Sequence, residues 1–298
     1  MSDSRRAVII ALHNLTYSSR VFKQADALAA AGFDVTLVGI VQRASDALEE
    51  QQGPVRLVRV RTAKRLHAER VAEAAAVPAS RKSGRPGFFA GIRTFVGRMR
   101  DNRLLSDAAL RTQPDVVIVS DIVTLAAGCR VKRLRAIPLV LDVRDLVLDS
   151  GAVLASSYAW LLARLERRLI RRVDAITTVS PYLADVLVQR FPDAPRAVAV
   201  YSGAFEAMTG IRPPSAPLRL FFQGRIVPNR RLDELIRAMA LVRDVDVVLT
   251  IQGFGEDEAR VRALVGDLSL HERVKFVEPC GQRDVVRCAS EHDIGVST

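Results

Sequence analysis

The strongest chemical signal in this sequence is a glycine followed by two arginines. A short apolar run, Leu218–Phe222, is typical of a buried strand, and Gly224 ends it. Arg225 and Arg230 follow, and apolar residues then recur at helical spacing, so these arginines lie between a strand end and a helix start. Helix amides favour anions at such a point, and a guanidinium binds phosphate through its planar fork. The segment therefore predicts a phosphate site; a solvated turn with ordinary surface arginines is the alternative.

Two further patterns bear on the same chemistry. Gly253 and Gly255 follow the predicted strand 245–252, where glycine lets the backbone approach a ligand closely. A tight turn without a ligand is the alternative. Asp244 and Asp246 form an Asp-X-Asp pattern at the start of that strand. Because a magnesium site needs oxygen ligands together with substrate phosphate, we expect these aspartates to be structural, and no metal site is predicted.

Composition limits the class of protein. The 298 residues are 49% hydrophobic with three unclustered cysteines, which favours a globular chain in a reducing compartment and argues against a disulfide framework or a zinc site. No apolar run approaches the roughly 20 residues of a membrane-spanning helix. The net charge is +11, of which residues 1–213 carry +12 and residues 214–298 carry −1. Either an anionic partner or a merely arginine-rich composition explains this asymmetry.

Strands and helices alternate along the chain. Apolar β-branched runs separated by amphipathic helices predict parallel sheets covered on both faces. Residues 205–217 lose this periodicity and contain adjacent prolines, so we expect an N-terminal Rossmann-like domain over 1–204, a linker over 205–217 and a second domain over 218–298. The last predicted strand, Asp293–Thr298, has nothing to cover it. The second domain is therefore expected to be incomplete, either as a fragment of a longer protein or as a short form completed by a partner.

A basic segment at 81–103 is the main candidate for contact with an anionic surface. Its apolar residues fall on one helical face and its arginines on the rest, and residues 164–172 add positive charge. Such a helix suits an anionic membrane, so we expect a cytoplasmic protein that docks at the inner face of the cell membrane; a core-facing helix with a solvated back is the alternative. No motif indicates nucleic-acid binding, and nothing indicates the oligomeric state. The apolar face consists of Phe88, Ile92, Phe95, Val96 and Met99.

Six segments resemble, in order, the motifs of GT-B glycosyltransferases of family 4, also called glycosyl transferases group 1. The resemblance covers almost the whole chain and implies an α/β fold of two Rossmann-like domains, the second incomplete. It implies a nucleotide-diphosphate sugar as co-substrate, no cofactor, and transfer with retention of anomeric configuration. The donor is expected against the C-terminal domain. The acceptor, for example a lipid-linked or cell-surface precursor in polysaccharide biosynthesis, is expected against the N-terminal domain. The segments are 13–40, 173–187, 223–239, 247–264, 268–280 and 292–297.

The resemblance assigns the donor-binding residues in the second domain. These are Gly224, Arg225, Arg230, Gly253 and Gly255. The two arginines match the family's basic residues that contact the donor pyrophosphate, and they are expected to act in catalysis by stabilising the leaving diphosphate in place of a metal.

The first domain departs from the family pattern. Arg144 stands where many members carry a histidine, although a branch of the family has an Arg-Asp-Leu element at this point. Arg144 is therefore a candidate catalytic residue, together with Asp121 at the end of a predicted strand. Asp145 is a candidate on the acceptor side. A structural Arg–Asp pair is the alternative to a catalytic role.

Two weaker acceptor-side candidates, His13 and Arg20, flank the first loop, which lacks the two glycines that often approach the diphosphate. The family's later glutamate pair, which contacts the donor, lies beyond Thr298, so the donor site is expected to be incomplete. A catalytically incomplete binding protein for an anionic partner is therefore the alternative function, and an epimerase sharing the fold is a more remote one.

Overall fold

A computed structural model describes residues 4–13, 15, 18–42, 46–62, 88–146, 148, 156–203, 213–214, 216–242, 244–281 and 284–297. The chain divides into two compact units, Met1–Ser202 and Gly203–Thr298, each built on its own sheet. Most of the expected linker, and residues 81–87 of the basic segment, lie outside the described residues.

The first unit contains a sheet of eight strands in the order β3-β4-β2-β1-β5-β6-β7-β8. All neighbouring pairs are parallel except β3 with β4, an antiparallel hairpin. The sequence did not predict β3, because its four residues are all polar and lack the apolar pattern of a strand. The strands are β1 Arg6–Ile10, β2 Asp34–Ile40, β3 Glu49–Gln52, β4 Val55–Val60, β5 Val116–Ser120, β6 Leu139–Val143, β7 Ala175–Thr178 and β8 Ala197–Ala199.

Helices cover this sheet on both faces, as predicted. Val8 and Ile10 of β1 pack on one side with helices α2, α3 and α5, whereas Ile9 packs on the other side with α1. Ser180 caps α5, accepting a hydrogen bond from the Leu183 amide at 3.2 Å, and Pro181 at the first helical position suits this helix start. The helices are α1 Ser19–Ala30, α2 Phe88–Arg111, α3 Leu125–Arg135, α4 Ser156–Leu169 and α5 Pro181–Arg190.

The second unit contains four parallel strands in the order β11-β10-β9-β12. Its core includes Phe222, Ile236 and Val261. The last strand is shorter than predicted, because only Ile294 and Gly295 pair with β9. The elements are β9 Leu218–Gln223, α6 Leu232–Leu241, β10 Val247–Gln252, α7 Glu258–Asp267, β11 Val274–Val277, α8 Val285–Ser290 and β12 Ile294–Gly295.

An aspartate fixes the register of neighbouring strands at three places in the two sheets. In each case the aspartate precedes a strand, its amide donates to the carbonyl of a residue at the start of the next strand, and its Oδ2 accepts that residue's amide at 2.7–2.8 Å. This pair of hydrogen bonds gives a structural reason for the aspartate that precedes each of these strands. The pairs are Asp115 with Arg6, Asp174 with Leu139, and Asp293 with Arg219.

Candidate active site

The predicted residues of the first unit converge where its strand order reverses. β1 leads through α1 to β2 on one side, whereas β5 leads to β6 on the other. His13, Asp121 and Arg144 follow the carboxyl ends of β1, β5 and β6, three adjacent strands. Ligands of open α/β sheets bind outside the carboxyl ends of the strands at such a reversal.

Asp121 occupies a backbone conformation that non-glycine residues rarely adopt. Its φ is 63° and its ψ 162°, which costs of order 1–3 kcal/mol. The surroundings hold this turn: the Asp121 amide donates to the Asp142 carbonyl at 2.8 Å, and the buried Thr124 hydroxyl donates to the Ser120 carbonyl at 2.7 Å. Asn102 of α2 donates to the Val123 carbonyl at 2.8 Å and accepts the Ala127 amide at 3.0 Å.

This strained turn presents the Asp121 carboxylate to Arg144. The Arg144 backbone amide donates to Oδ1 at 3.1 Å, and its Nε and Nη2 donate to Oδ2 at 3.2 and 2.5 Å. The structure thus pairs the two first-unit candidates for catalysis with each other, while Asp145 is exposed beside them. Both carboxylate oxygens are occupied, so Asp121 is better suited to orient Arg144 than to accept a proton.

His13 lies beside this pair as a neutral imidazole. Its Nδ1 accepts the Leu15 amide at 3.1 Å, so the proton is on Nε2, which is buried and has no hydrogen-bond partner among the residues that the structure describes. Burial, and then the charge of Arg144, lower the pKa of His13 to about 4. His13 is therefore uncharged at neutral pH and offers an N–H donor rather than a positive charge.

Arg20 has a different place from the acceptor-side role predicted for it. It is buried, and its Nε and Nη2 donate to Asp142 at 2.9 and 2.7 Å, while its Nη1 donates to the Val200 carbonyl at 2.9 Å. Thr177 also donates to Asp142, at 2.7 Å, and the hydrogen bond to Asp142 raises the pKa of Arg20. Because protein acceptors occupy the guanidinium, Arg20 holds α1 against β6, which accounts for this arginine without a substrate; the acceptor-side role stays a prediction.

In the second unit, backbone packing requires glycine at both Gly253 and Gly255. A Cβ on Gly253 would stand 1.9 Å from the Gly224 carbonyl oxygen, and one on Gly255 would stand 1.9 Å from that of Ile226. The expected close approach of backbone is therefore an approach to the loop after β9, and the assignment of these glycines as ligand contacts stays a prediction. Hydrogen bonds join the two loops, from the Ile226 amide to the Phe254 carbonyl at 2.9 Å and from the Asp257 amide to the Ile226 carbonyl at 3.2 Å.

Gly224 differs from those two glycines. The nearest atom to a Cβ there would be Cζ of Phe222 at 3.4 Å, an ordinary contact, and its φ is not positive. Arg225 follows it, fully on the surface, on a loop that the buried Ile226 anchors. Packing within the protein therefore does not account for a glycine at this position.

Arg230 lies in the short turn Pro228–Arg230 that leads into α6. The next residue, Arg231, makes an ion pair with Glu234. Asp233 and Glu234 in the first turn of α6 partly compensate the positive helix end. The predicted anion site at this helix start thus depends on Arg225 and Arg230 more than on the helix dipole.

A polar cluster at the carboxyl ends of β9, β10 and β11 was not predicted. Nε2 of Gln223 donates to Oε1 of Gln252 at 2.6 Å and contacts Cys280 Sγ at 3.4 Å. Gln252 is buried and donates to the Glu278 carbonyl at 3.1 Å. The available signal was a glutamine at the end of each of two apolar strands. Asp244 and Asp246 precede β10 and so lie at the opposite end of the sheet.

Helix α2 is packed on the sheet over part of its length and exposed at its start. Its second half packs on the sheet through residues such as Leu105 and Ala109, while its first two residues, Phe88 and Phe89, are 61% and 82% exposed. Phe95 packs near Tyr158 of α4. No helix within the described part of the chain is long and apolar enough to cross a membrane.

Two family models match the chain. One, described as a glycosyl transferase 4-like domain, matches residues 17–203, and one described as glycosyl transferases group 1 matches residues 206–298. No curated protein sequence matches the chain.

Solved structures share the fold at low sequence identity. Sucrose-phosphate synthase from Thermosynechococcus elongatus is 15% identical with a TM-score of 0.67, over 98% of this chain and 75% of that one. HepE from Anabaena, in complex with UDP and glucose, is 12% identical with a TM-score of 0.64, over 98% and 73%. A TarM variant from S. aureus, in complex with fondaparinux, α-GlcNAc-glycerol and UDP, is 10% identical with a TM-score of 0.60, over 98% and 80%. Together these matches confirm two Rossmann-like domains of the GT-B class.

Proposed function

This chain belongs to the glycosyl transferase 4-like and group 1 family, and we propose that it transfers a sugar from a nucleotide-diphosphate donor with retention of configuration and without a metal ion. The observation that carries the proposal is the loop after β9. There, Gly224 has no packing reason to be glycine, and the exposed Arg225 follows on a backbone anchored by Ile226.

In this proposal the guanidiniums of Arg225 and Arg230 bind the donor diphosphate. They stabilise the negative charge that develops as the sugar–phosphate bond breaks, and two preorganised cations can supply this stabilisation without a metal. Gly224 lets the diphosphate approach the backbone of the loop.

The first unit supplies the acceptor side of the reaction. Asp121 fixes Arg144 through three hydrogen bonds, so the guanidinium is oriented before a substrate arrives. The neutral His13 offers its Nε2–H beside this pair. Asp145, exposed next to Arg144, completes the set of proposed acceptor contacts.

Calorimetric titration of the protein with UDP-glucose and with GDP-mannose, in EDTA, tests donor binding. Arg225→Ala should abolish binding, whereas Arg237→Ala, which removes an exposed arginine of α6, should not. NMR of the product anomer then tests retention. Failure of both nucleotide sugars to bind would overturn the proposal. Binding without transfer to any lipid-linked or free glycan would favour the alternative, a binding protein without catalytic activity.

We further propose that the acceptor is a lipid-linked or cell-surface glycan precursor and that the first unit docks on an anionic membrane at the cytoplasmic face. Phe88, Phe89 and Trp160 are exposed, and Ser157 of α4 donates to the Phe88 carbonyl at 2.6 Å, which ties the starts of α2 and α4 together. Arg93 adds charge on the same helix. Exposed aromatic rings beside arginines suit a membrane interface.

Vesicle flotation tests this docking. Phe88→Ser with Phe89→Ser should release the protein from vesicles containing anionic lipid. The control Leu241→Ser removes an equally exposed apolar residue of the second unit and should not release it. Equal flotation of both variants would remove α2 from the proposal.

A further inference from the structure

The excess positive charge of the chain has a definite location that the proposed donor and acceptor sites do not use. In a parallel α/β sheet, each helix ends where the next strand begins, so helix ends and strand starts share one edge. In the first unit, this edge consists of the segments that precede β1 and β5–β8. Where a helix precedes the strand, the segment includes the last turn of that helix. The segments are 4–6, 108–115, 132–138, 169–174 and 187–196.

These five segments hold ten lysines and arginines against three aspartates. Because β1, β5, β6, β7 and β8 are consecutive neighbours at about 4.8 Å spacing, the cations form a row about 19 Å long. Ion pairs join adjacent strands along it, such as Lys132 with Asp174 at 2.7 Å and Arg171 with Asp193 at 2.8 Å. We call this row the basic edge.

At least half of these cations make no ion pair with a carboxylate that the structure describes. Arg111, Arg133, Arg135, Arg172 and Arg196 are all exposed, and none makes an ion pair with any residue that the structure describes. Basic residues in the last turn of a helix are also expected from the helix dipole, so exposure alone does not establish a binding surface.

The chain contains its own controls against that explanation. The corresponding segments of the second unit, 238–246, 264–273 and 287–293, hold three cations and six carboxylates. In the first unit, the connection from α1 to β2 over 27–34 holds no cation. The same architecture therefore does not by itself produce a basic edge elsewhere, and the row belongs to β1 and β5–β8.

The surface chemistry of the edge narrows the kind of partner. Phe191, the only aromatic residue in the five segments, is buried, so the edge offers no ring for stacking nucleobases or for entering a lipid interface. A narrow row of guanidiniums instead matches carboxylate or other oxyanion groups repeated along an extended chain.

We propose that the basic edge binds an anionic polysaccharide, a linear glycan that carries repeated carboxylate groups. This inference rests on the proposed function, which makes glycans the substrates of this chain. The edge lies at the opposite end of the sheet from His13, Asp121 and Arg144, so it holds the glycan away from the reacting groups as a second contact.

The test uses an alginate decasaccharide, which carries a carboxylate on every sugar, and a maltodextrin of equal length as the neutral control. Alginate should bind and weaken steeply with salt; maltodextrin should not bind. Arg133→Gln with Arg135→Gln and Arg172→Gln should weaken alginate binding roughly tenfold, since each exposed ion pair contributes a few tenths to 1 kcal/mol. The matched control, Arg93→Gln with Arg100→Gln and Arg103→Gln on α2, removes the same charge and should change binding less than twofold.

Three results would overturn this proposal: no alginate binding at low salt, equal loss in both triple variants, or tighter binding of a 20-nucleotide single-stranded DNA than of alginate. UDP-glucose titration of the same variants separates the two proposals. Loss of alginate binding with unchanged donor binding locates the glycan contact at the edge, whereas absent donor binding in every variant contradicts the proposed function and leaves the alginate result independent of it.

Discussion

Substituting alanine for each of three loop glycines separates packing from ligand contact. At Gly253 and Gly255 the new Cβ would stand 1.9 Å from a backbone carbonyl oxygen, more than 1 Å inside the 3.0 Å that real contacts respect. A backbone carbonyl cannot rotate away as a side chain can, so one of the two loops must move. Overpacking of this kind costs about 1–3 kcal/mol. At Gly224 the nearest atom is at 3.4 Å, so alanine should fit and leave stability within about 0.5 kcal/mol.

The position of the single tryptophan allows the loss of stability to be assigned to one unit. Its single tryptophan, Trp160, lies in the first unit, so tryptophan fluorescence follows that unit alone while far-UV circular dichroism follows both. For a unit of about 100 residues, each 1 kcal/mol shifts the melting temperature by roughly 4–8 °C. Gly255→Ala should lower a melting transition seen by dichroism by that amount or more and leave the fluorescence transition in place.

The same variants test donor binding. Gly224→Ala should keep the melting temperature, because the added Cβ would make only an ordinary contact with Phe222, and should lose affinity for the nucleotide sugar, because the proposed function has the diphosphate approach the loop at this residue. Unchanged stability in Gly253→Ala and Gly255→Ala would refute the packing argument. Wild-type donor affinity in Gly224→Ala would refute the ligand-contact argument.

Further perturbations probe the first unit. Asp121→Gly should raise stability by about 1 kcal/mol, measured by urea unfolding, while lowering activity, because it relieves the strained φ of 63° and releases Arg144. Arg20→Met should cost about 3–5 kcal/mol by leaving the buried Asp142 unpaired, and adding Asp142→Leu should restore most of this. His13 titrates near pH 4 when folded and 6.5 when unfolded, so between these values the unfolded chain binds more protons. Stability should therefore fall by up to about 1.4 kcal/mol per pH unit as pH drops through this window, and His13→Gln should flatten that slope. Lys132 and the Leu139 amide lower the pKa of Asp174, so the stability it contributes should be lost below about pH 4, a loss absent in Asp174→Asn.

Periodicity predicted most of the fold because buried strands and amphipathic helices impose strong patterns. The parallel strands and the helices around them follow the apolar runs within a few residues, and Ser180-Pro181 marks a helix start through local chemistry alone. The hairpin strand Glu49–Gln52 could not be found in this way, since its partner strand rather than its own pattern holds it.

Side-chain partners that lie far apart in the sequence could not be predicted from it. Arg20 lies 122 residues from Asp142, and Asp121 lies 23 residues from Arg144. The sequence pattern of an arginine at a helix start is the same whether the side chain contacts a ligand or a buried carboxylate. The neighbouring Arg144 and Asp145 suggested a local pair, whereas adjacent residues at a strand end point in different directions, and the carboxylate that Arg144 binds comes from the next strand.

Residues that the scaffold already requires are poor evidence for function. Gly253 and Gly255 make room for a neighbouring loop, and Arg20 neutralises a buried carboxylate. Asp174, which precedes a strand, fixes the register of that strand with its neighbour. What remains is a glycine where a Cβ would make only an ordinary contact, an exposed arginine on an anchored loop, and an aspartate held in a costly conformation. Packing alone does not explain these features, which supports the proposal that they are kept for a ligand.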